Sequence, residues 1–278
     1  MFSSPKQLKD WINNMAKRDN LVASTVLQNY MMERLLERIS VSRYRDNLIL
    51  KGGFLIAAMV GIDIRSTMDM DTTIKGMLVN QAEVIKMLSE IIAIDVGDNV
   101  VFEIVGVKNI HDVSDYDDFR VSLKATFFTI VTNMKIDITT GDLIIPREIE
   151  YSFKLMFEDR HIAIKAYNLN TILAEKIESV LARNVTNTRA RDLYDIYILM
   201  TLRRRDIDMR ELRLAIRQKA EARNSVPFIE NYRKHLADIR LSTDIAKIWT
   251  AYCDRYPYAQ DISLDSALSL IEQTLIDE

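Results

Sequence analysis

The spacing of apolar and polar positions predicts a mixed first half and a helical second half. Apolar residues recur with a helical period from Asn20 to about Tyr44 and again over residues 81–93. Between them, residues 46–51 indicate a short strand, followed by two glycines and an apolar helix over residues 54–60. The first helix is predicted to be amphipathic, and its polar face is formed by Glu33, Arg34, Glu37 and Arg38.

Three later stretches alternate with a period of two residues and predict strands: 100–105, 120–126 and 134–139. With the strands at Leu48 and Asp69 they form one mixed sheet, and the polar run from Asn109 to Asp118 is a connecting loop. From Asn170 onward the pattern is almost wholly helical. We therefore expect an α+β domain over residues 1–165 and a helical domain over residues 166–278.

Two aspartates on one predicted strand are the first candidates for chemistry. Side chains alternate along a strand, so Asp69 and Asp71 point the same way, roughly 6 to 7 Å apart, while Met68 and Met70 face the core. Asp137 stands on the polar face of the strand at 134–139 and is a third candidate. Such carboxylates suit Mg²⁺, or Mn²⁺, in nucleotide chemistry. The alternatives are a solvated turn and, for Asp137, an exposed position on an edge strand.

The two glycines supply the second half of this chemistry. Gly52 and Gly53 follow a strand and precede a helix, so the backbone can approach a phosphate near the positive end of the helix dipole. The alternative is a tight turn without a ligand.

In the helical half, Lys176 flanks an apolar stripe and is expected to reach the cleft. Asp192 and Asp195 lie on one face of the next predicted helix, where either could orient Lys176 or Arg183. An interhelical salt-bridge network explains the same spacing equally well. A basic strip also follows, and it suits either an RNA backbone or a solvated helix face. Its members are Arg203, Arg204, Arg205, Arg210, Arg213, Arg217, Lys219 and Arg223.

Composition narrows the class of protein. The chain has 278 residues, a net charge of −3 and a pI near 5.8, so no global basic field indicates nucleic acid. One cysteine, Cys253, excludes an internal disulfide, and three scattered histidines do not suggest a zinc cluster. Without a leader pattern or an apolar run of membrane length, the expected location is the cytoplasm.

The ordered motifs resemble the AbiEii/AbiGii family of nucleotidyltransferase toxins. The resemblance spans nearly the whole chain from about Asn20, including the helix at residues 30–40. Its motifs are Leu50-Lys51-Gly52-Gly53, Arg65-Ser66-Thr67-Met68-Asp69-Met70-Asp71, Leu173-Ala174-Glu175-Lys176-Ile177 and Arg191-Asp192-Leu193-Tyr194-Asp195.

The resemblance implies a polymerase-β-like nucleotidyltransferase fold with a helical C-terminal domain, and the toxin role in a toxin–antitoxin or phage-defence pair. It implies transfer of a nucleotide from an NTP to an acceptor, the tRNA 3′ end in some family members. Whether the antitoxin encoded alongside touches the toxin stays open.

By similarity, each motif also has a role. Gly52 and Gly53 hold the triphosphate, Asp69 and Asp71 bind Mg²⁺, Lys176 contacts phosphates, and Asp192 is the acid of the helical motif. Three further candidates for nucleotide binding are Lys51, Thr67 and Asp195.

One departure and two alternatives accompany this resemblance. The family's loop commonly ends in Gly-Ser, whereas Gly53 lacks the hydroxyl. A metal-dependent glycosyltransferase also uses an Asp-X-Asp pair, although it does not need the glycine turn. A non-catalytic module that binds RNA or the antitoxin on the same fold is the second alternative.

Overall fold

The computed structural model describes residues 2–77, 79–110 and 118–276. The chain forms two compact units. One comprises Met1–Asp142 and Glu148–Ala166, and the other comprises Leu143–Arg147 and Tyr167–Glu278. Residues 111–117 of the loop predicted between Asn109 and Asp118 lie outside the described residues.

The first unit is a mixed sheet with helices around it. Over the described residues its helices are α1 (Pro5–Arg18), α2 (Ala23–Val41), α3 (Gly52–Val60) and α4 (Gln81–Ile92). Its seven strands in the described part of the chain are β1 (Leu48–Lys51), β2 (Asp69–Ile74), β3 (Val100–Asn109), β4 (Phe119–Phe127), β5 (Ile130–Thr140), β6 (Ile149–Lys154) and β7 (His161–Ala166).

The strand order is β3-β4-β5-β2-β1-β7-β6. β2 runs parallel to β5 and β1 runs parallel to β7, whereas the other neighbours are antiparallel. Along β4 and β5, buried and accessible residues alternate, because one face of the sheet packs against the core. The predicted mixed sheet with flanking helices is therefore confirmed.

Three elements of this unit were not predicted: α1, β6 and β7. The buried stripe of α1 is narrow and consists of Leu8, Ile12 and Ala16. β6 is an edge strand in which only Phe153 is buried, although Ile149, Tyr151 and Phe153 alternate with polar residues. Met68 also differs from expectation, because it precedes β2 and is 46% exposed, whereas Met70 is fully buried.

The polar face predicted for α2 is wrong, because its four charged residues are buried. They are stabilised by ion pairs with one another and with segments distant in the sequence. Arg34 binds Glu37 at 2.7 Å as well as its neighbour Glu33, and Arg38 binds Asp98 at 2.7 Å. Burial raises the pKa of Glu33 to about 7, although Arg34 opposes this shift. The helix is thus enclosed on its charged side as well as its apolar side.

The second unit is helical, as predicted. Its α-helices in the described residues are α5 (Leu169–Arg183), α6 (Ala190–Leu202), α7 (Met209–Ala222), α8 (Val226–Glu230), α9 (Tyr232–Leu241), α10 (Thr243–Arg255) and α11 (Leu264–Leu275). α5 packs against α6 and α7, and α11 packs against α6 and α9. The side chain of Asn168 caps α5 by accepting a hydrogen bond from the Thr171 N–H. No helix among the described residues has both the length and the apolar character to cross a bilayer.

Candidate active site

The turn from β1 into α3 accepts only glycine at its first position. Gly52 has φ of +68°, a region that residues with a Cβ rarely adopt. A Cβ at Gly52 would also lie 2.0 Å from Oδ2 of Asp71. The turn and the carboxylate are therefore in direct contact, because the missing side chain leaves room for Asp71.

This turn presents the start of a helix without a side-chain cap. The N-cap residue Lys51 makes no capping hydrogen bond through its side chain. The first N–H groups of a helix have no partner within the helix, and the dipole favours an anion there. Lys51 itself is 8% exposed, and its ammonium group binds Asp142 at 2.5 Å. Asp142 also accepts a hydrogen bond from the Thr139 hydroxyl at 2.6 Å, which fixes this pair at the end of β5.

Two polar side chains lie beside the second glycine. A Cβ at Gly53 would be 3.0 Å from the Thr67 hydroxyl oxygen and 3.0 Å from Nη2 of Arg65. Arg65 is 5% exposed, so its charge is held in the interior next to the turn. Gly53 carries no hydroxyl of its own, but the hydroxyl of Thr67 lies next to its position.

Helix α2 holds the segment that leads into β2. The side-chain amide of Asn29 donates to the main-chain oxygen of Thr67 at 2.9 Å, and that of Gln28 donates to the main-chain oxygen of Met68 at 3.0 Å. Asn29 and Gln28 are 2% and 5% exposed. Buried amides of this kind fix the backbone, because breaking their bonds would leave unpaired polar groups in the interior. The start of β2 is therefore positioned from two sides, by the glycine turn and by α2.

The three predicted carboxylates share one face of the sheet. Asp69 and Asp71 are two residues apart on β2, and Asp137 of β5 is the direct register neighbour of Asp71. Both oxygens of Asp137, however, accept hydrogen bonds from the guanidinium of Arg120, at 2.8 and 2.6 Å. This bonding to Asp137 raises the pKa of Arg120 above its usual value, and Asp69 and Asp71 add to the effect. One cationic side chain of the protein, Arg120, thus interacts electrostatically with all three acids.

The donor set fits a magnesium ion that arrives with a nucleotide. In residues 2–77, 79–110 and 118–276, no three or more His, Cys, Asp or Glu side chains form a ready-made metal site. Mg²⁺ is commonly held by one or two carboxylates, and substrate phosphates and water complete its shell. Asp69 and Asp71 meet that requirement. The metal role of Asp137 stays a prediction and requires Asp137 to separate from Arg120.

The helical unit brings together the three residues predicted there. The ammonium of Lys176 on α5 lies 2.7 Å from Asp192 and 2.8 Å from Asp195, both on α6. Burial alone would lower the pKa of Lys176, but the two carboxylates raise it above the ordinary lysine value. This cluster joins the two helices. The nucleotide contacts of Lys176 and Asp195 and the catalytic role of Asp192 stay predictions.

The basic strip predicted in this unit is not continuous at the surface. Lys219 is 2% exposed, and its ammonium lies 5.7 Å from the centre of the Tyr167 ring. Arg223 binds Glu178 at 2.7 Å and Glu175 at 2.9 Å. At least two of the eight basic side chains of the strip therefore interact with partners inside the unit.

Comparison with protein families decides the identity. Residues 34–270 match the family described as nucleotidyl transferase AbiEii toxin, type IV toxin–antitoxin system. The chain belongs to the AbiEii family. This result confirms the resemblance and the predicted enzyme class, nucleotidyltransferase. A type IV toxin–antitoxin family also implies a cognate antitoxin for this AbiEii protein.

Solved structures confirm the fold of this AbiEii protein. A candidate nucleotidyltransferase from H. pylori is 13% identical, with a TM-score of 0.51 over 92% of this chain and 94% of its own. The protein JHP933 from Helicobacter pylori is also 13% identical, with a TM-score of 0.50 over 90% of each chain. No curated protein sequence matches the chain. The predicted nucleotidyltransferase fold is thus confirmed from structure.

Four residues beside this AbiEii site were missing from the predicted set: Gln28, Asn29, Arg65 and Arg120. Arg65 lies in the same motif as Asp69, so its position in the sequence could have indicated a role. Arg120 reaches Asp137 only through the pairing of β4 with β5, and α2 reaches Thr67 only through tertiary packing. Neither relation has a local signal in the sequence.

Proposed function

We propose that this AbiEii protein transfers a nucleotide from an NTP to the 3′ end of an RNA, with tRNA as the acceptor, and that Mg²⁺ is required. Modification of tRNA would arrest growth by removing acceptors from translation. The observation that carries the proposal is the contact between Asp71 and the backbone of Gly52. It joins a carboxylate to the place where a triphosphate would bind.

Each candidate site residue of the sheet unit has a role in this proposal. Asp69 and Asp71 would hold the metal ion, which would supply charge neutralisation for the triphosphate. The N–H groups at Gly52 and Gly53 bind phosphate oxygens. The Thr67 hydroxyl and the Arg65 guanidinium lie beside Gly53, so they would supply a donor and a positive charge to the same phosphates. For this, the Thr67 hydroxyl would exchange its long bond to the main-chain oxygen of Asp69, at 3.3 Å, for a phosphate oxygen. Thr67 would thereby replace the serine usual in the family's loop.

The reaction forms one bond and breaks one. The oxygen of a terminal RNA hydroxyl attacks the α-phosphorus, and the bond between that phosphorus and the bridging oxygen to the β-phosphate breaks. Pyrophosphate leaves with the electron pair, and the hydroxyl proton passes to water. Protein side chains contribute by positioning and by electrostatic stabilisation, because phosphoryl transfer needs little covalent help.

Labelled substrates test this proposal against its alternatives. The protein is incubated with NTPs labelled at the α-phosphate, with nucleotide sugars labelled in the sugar, and with total RNA, with Mg²⁺ or with EDTA. We expect the nucleotide label to become attached to RNA of tRNA size, and only with Mg²⁺. A sugar label on any acceptor would support a glycosyltransferase instead. RNA binding without any transfer would support a non-catalytic module.

Arg120 offers a prediction on metal binding. Arg120→Gln leaves the Asp137 carboxylate beside Asp71 without its bidentate partner. We expect the metal-free variant to lose about 1–2 kcal/mol of unfolding free energy, because this pair is only partly buried. Excess MgCl₂ should stabilise the variant more than the wild type, since a third carboxylate becomes available to a cation. Thermal unfolding with EDTA and with MgCl₂ measures both effects.

Arg45→Gln is the matched control for this measurement. Arg45 also binds a carboxylate on the sheet unit, Glu150, at 2.7 Å. Its loss should leave the stabilisation by MgCl₂ equal to that of the wild type. If Arg120→Gln gains no more from MgCl₂ than Arg45→Gln does, Asp137 does not compete for the cation.

A further inference from the structure

The face of the sheet that carries the carboxylates continues as an accessible surface across β5, β4 and β3. Three rows of cross-strand neighbours on this surface contain charged residues. The first row, counted from β2 to β3, is Asp71, Asp137, Arg120 and Lys108. The second row is Asp69, Lys135, Ser122 and Gly106. The third row, on β5 to β3, is Asn133, Lys124 and Glu103.

A β-bulge places Lys108 on this face. The pairing of β3 with β4 shifts between Ile104 and Gly106, so one extra residue enters β3 there. Before the shift Glu103 pairs with Lys124, and after it Lys108 pairs with Arg120. Without the extra residue, the strict alternation would direct Lys108 to the opposite face. The bulge therefore brings a third lysine to the side of the carboxylates.

These lysines are exposed and weakly paired. Lys124 binds Glu103 at 2.5 Å, but the two side chains are 41% and 62% exposed, so the pair contributes little energy. Lys108 and Lys135 form no ion pair with residues 2–77, 79–110 or 118–276, and both are exposed. A Cβ at Gly106 would meet nothing within 4 Å, so the β3 end of the middle row is open.

We propose that this face, defined by Lys108, Lys124 and Lys135, binds the sugar–phosphate backbone of the acceptor RNA. The inference rests on the proposed function, because it assigns a path to the acceptor of that reaction. Three cations spread over about 10 Å across the strands and about 13 Å along them suit several successive phosphates. The middle row leads to Asp69, so a strand lying over it would bring its 3′ end to the carboxylate pair.

Charge favours RNA over a protein at this position. A polyanion needs cations near Asp69 and Asp71, because the carboxylates by themselves would repel its phosphates.

The test measures binding of fluorescently labelled bulk tRNA between about 50 and 200 mM KCl, in the presence of Mg²⁺. The triple variant Lys108→Gln, Lys124→Gln, Lys135→Gln should bind about 10- to 100-fold more weakly at the low salt end. The slope of log affinity against log salt should fall by about 0.7 for each lysine removed from single-strand contacts. A double variant that keeps Lys135 should show an intermediate slope.

Matched controls use exposed lysines elsewhere: Lys17 on α1, Lys86 on α4 and Lys154 on β6. Replacing all three with glutamine changes the net charge equally and should leave the slope near that of the wild type. The affinity for Mg·NTP, measured by calorimetry, should be unchanged in both triple variants. A general charge effect would weaken tRNA binding equally in the two variants and would overturn the proposal.

Other outcomes separate this inference from the proposed function. If the wild type labels RNA but the first triple variant keeps wild-type tRNA affinity and slope, the binding face is wrong and the transfer reaction stands. If the wild type transfers the nucleotide to a protein, both ideas are overturned. If it transfers to nothing, the proposed function fails, and with it the reason to call this RNA an acceptor.

Discussion

Asp71→Asn should lower the rate of nucleotide transfer by at least about 100-fold, with little change in folding. Asparagine keeps the shape of the side chain and removes the negative charge that would hold the metal ion. Because Asp71 also touches the backbone at Gly52, the variant weakens metal binding at the point where the triphosphate enters. The label transferred from α-labelled NTP to RNA measures the rate, and circular dichroism measures folding.

Asp46→Asn is the control for this loss. Asp46 lies on the same unit and is 73% exposed at its side chain, and its ion pair to Lys165 is long, at 4.0 Å. It should keep wild-type activity. Asp69→Asn should behave like Asp71→Asn, since both carboxylates lie on one face of β2. Full activity in Asp69→Asn or Asp71→Asn would remove the carboxylate pair from the mechanism.

Gly52→Ala should abolish measurable NTP binding and destabilise the sheet unit. The new methyl group meets two obstacles: a φ of +68° and a carboxylate oxygen 2.0 Å away. The first costs about 1 kcal/mol. The second forces Asp71 out of its place or the turn out of its conformation, so the geometry of the site is lost as well as stability. Calorimetry with NTP and Mg²⁺, together with thermal unfolding, measures both effects.

Variants at two other glycines distinguish the effect of backbone strain from that of the contact with Asp71. Gly97 has φ of +72° but nothing within 4 Å of its Cβ position, so Gly97→Ala carries the backbone strain alone. Gly106 has neither obstacle, because its Cβ position is open and its φ is not in the left-handed region. NTP binding should survive in both variants. Equal loss of binding in Gly97→Ala would mean that backbone strain, and not the contact with Asp71, explains the result.

The parts of the site that sequence reasoning could predict are those with local patterns. Asp69 and Asp71 lie on one strand, and Gly52 and Gly53 lie at one turn, so alternation and turn chemistry were sufficient to nominate them. Asp137 could be assigned to a strand face, but its bidentate bond to Arg120 depends on the register between β4 and β5. That register is a property of the folded sheet.

The same distinction explains the errors about charge. The four charged residues of α2 looked like a solvated face, because the partners that bury them are Asp98, Glu158 and Arg160 as well as each other. A run of arginines suggested a basic strip in the helical unit. In the structure, however, Lys219 contacts the Tyr167 ring, and Arg223 binds Glu175 and Glu178. On β3–β5, by contrast, the lysines are spread over three strands and assemble only through pairing and a bulge.

Calorimetric titration of an NTP analogue that resists transfer is the most direct test of the central claim, which is that Asp69 and Asp71 bind the metal–nucleotide complex at the glycine turn. We predict that the wild type binds the analogue only with Mg²⁺, and that the variant carrying both Asp69→Asn and Asp71→Asn loses this metal dependence together with most of its affinity. Equal affinity of the wild type in EDTA and in Mg²⁺, or an unchanged metal dependence in the variant, would contradict the account.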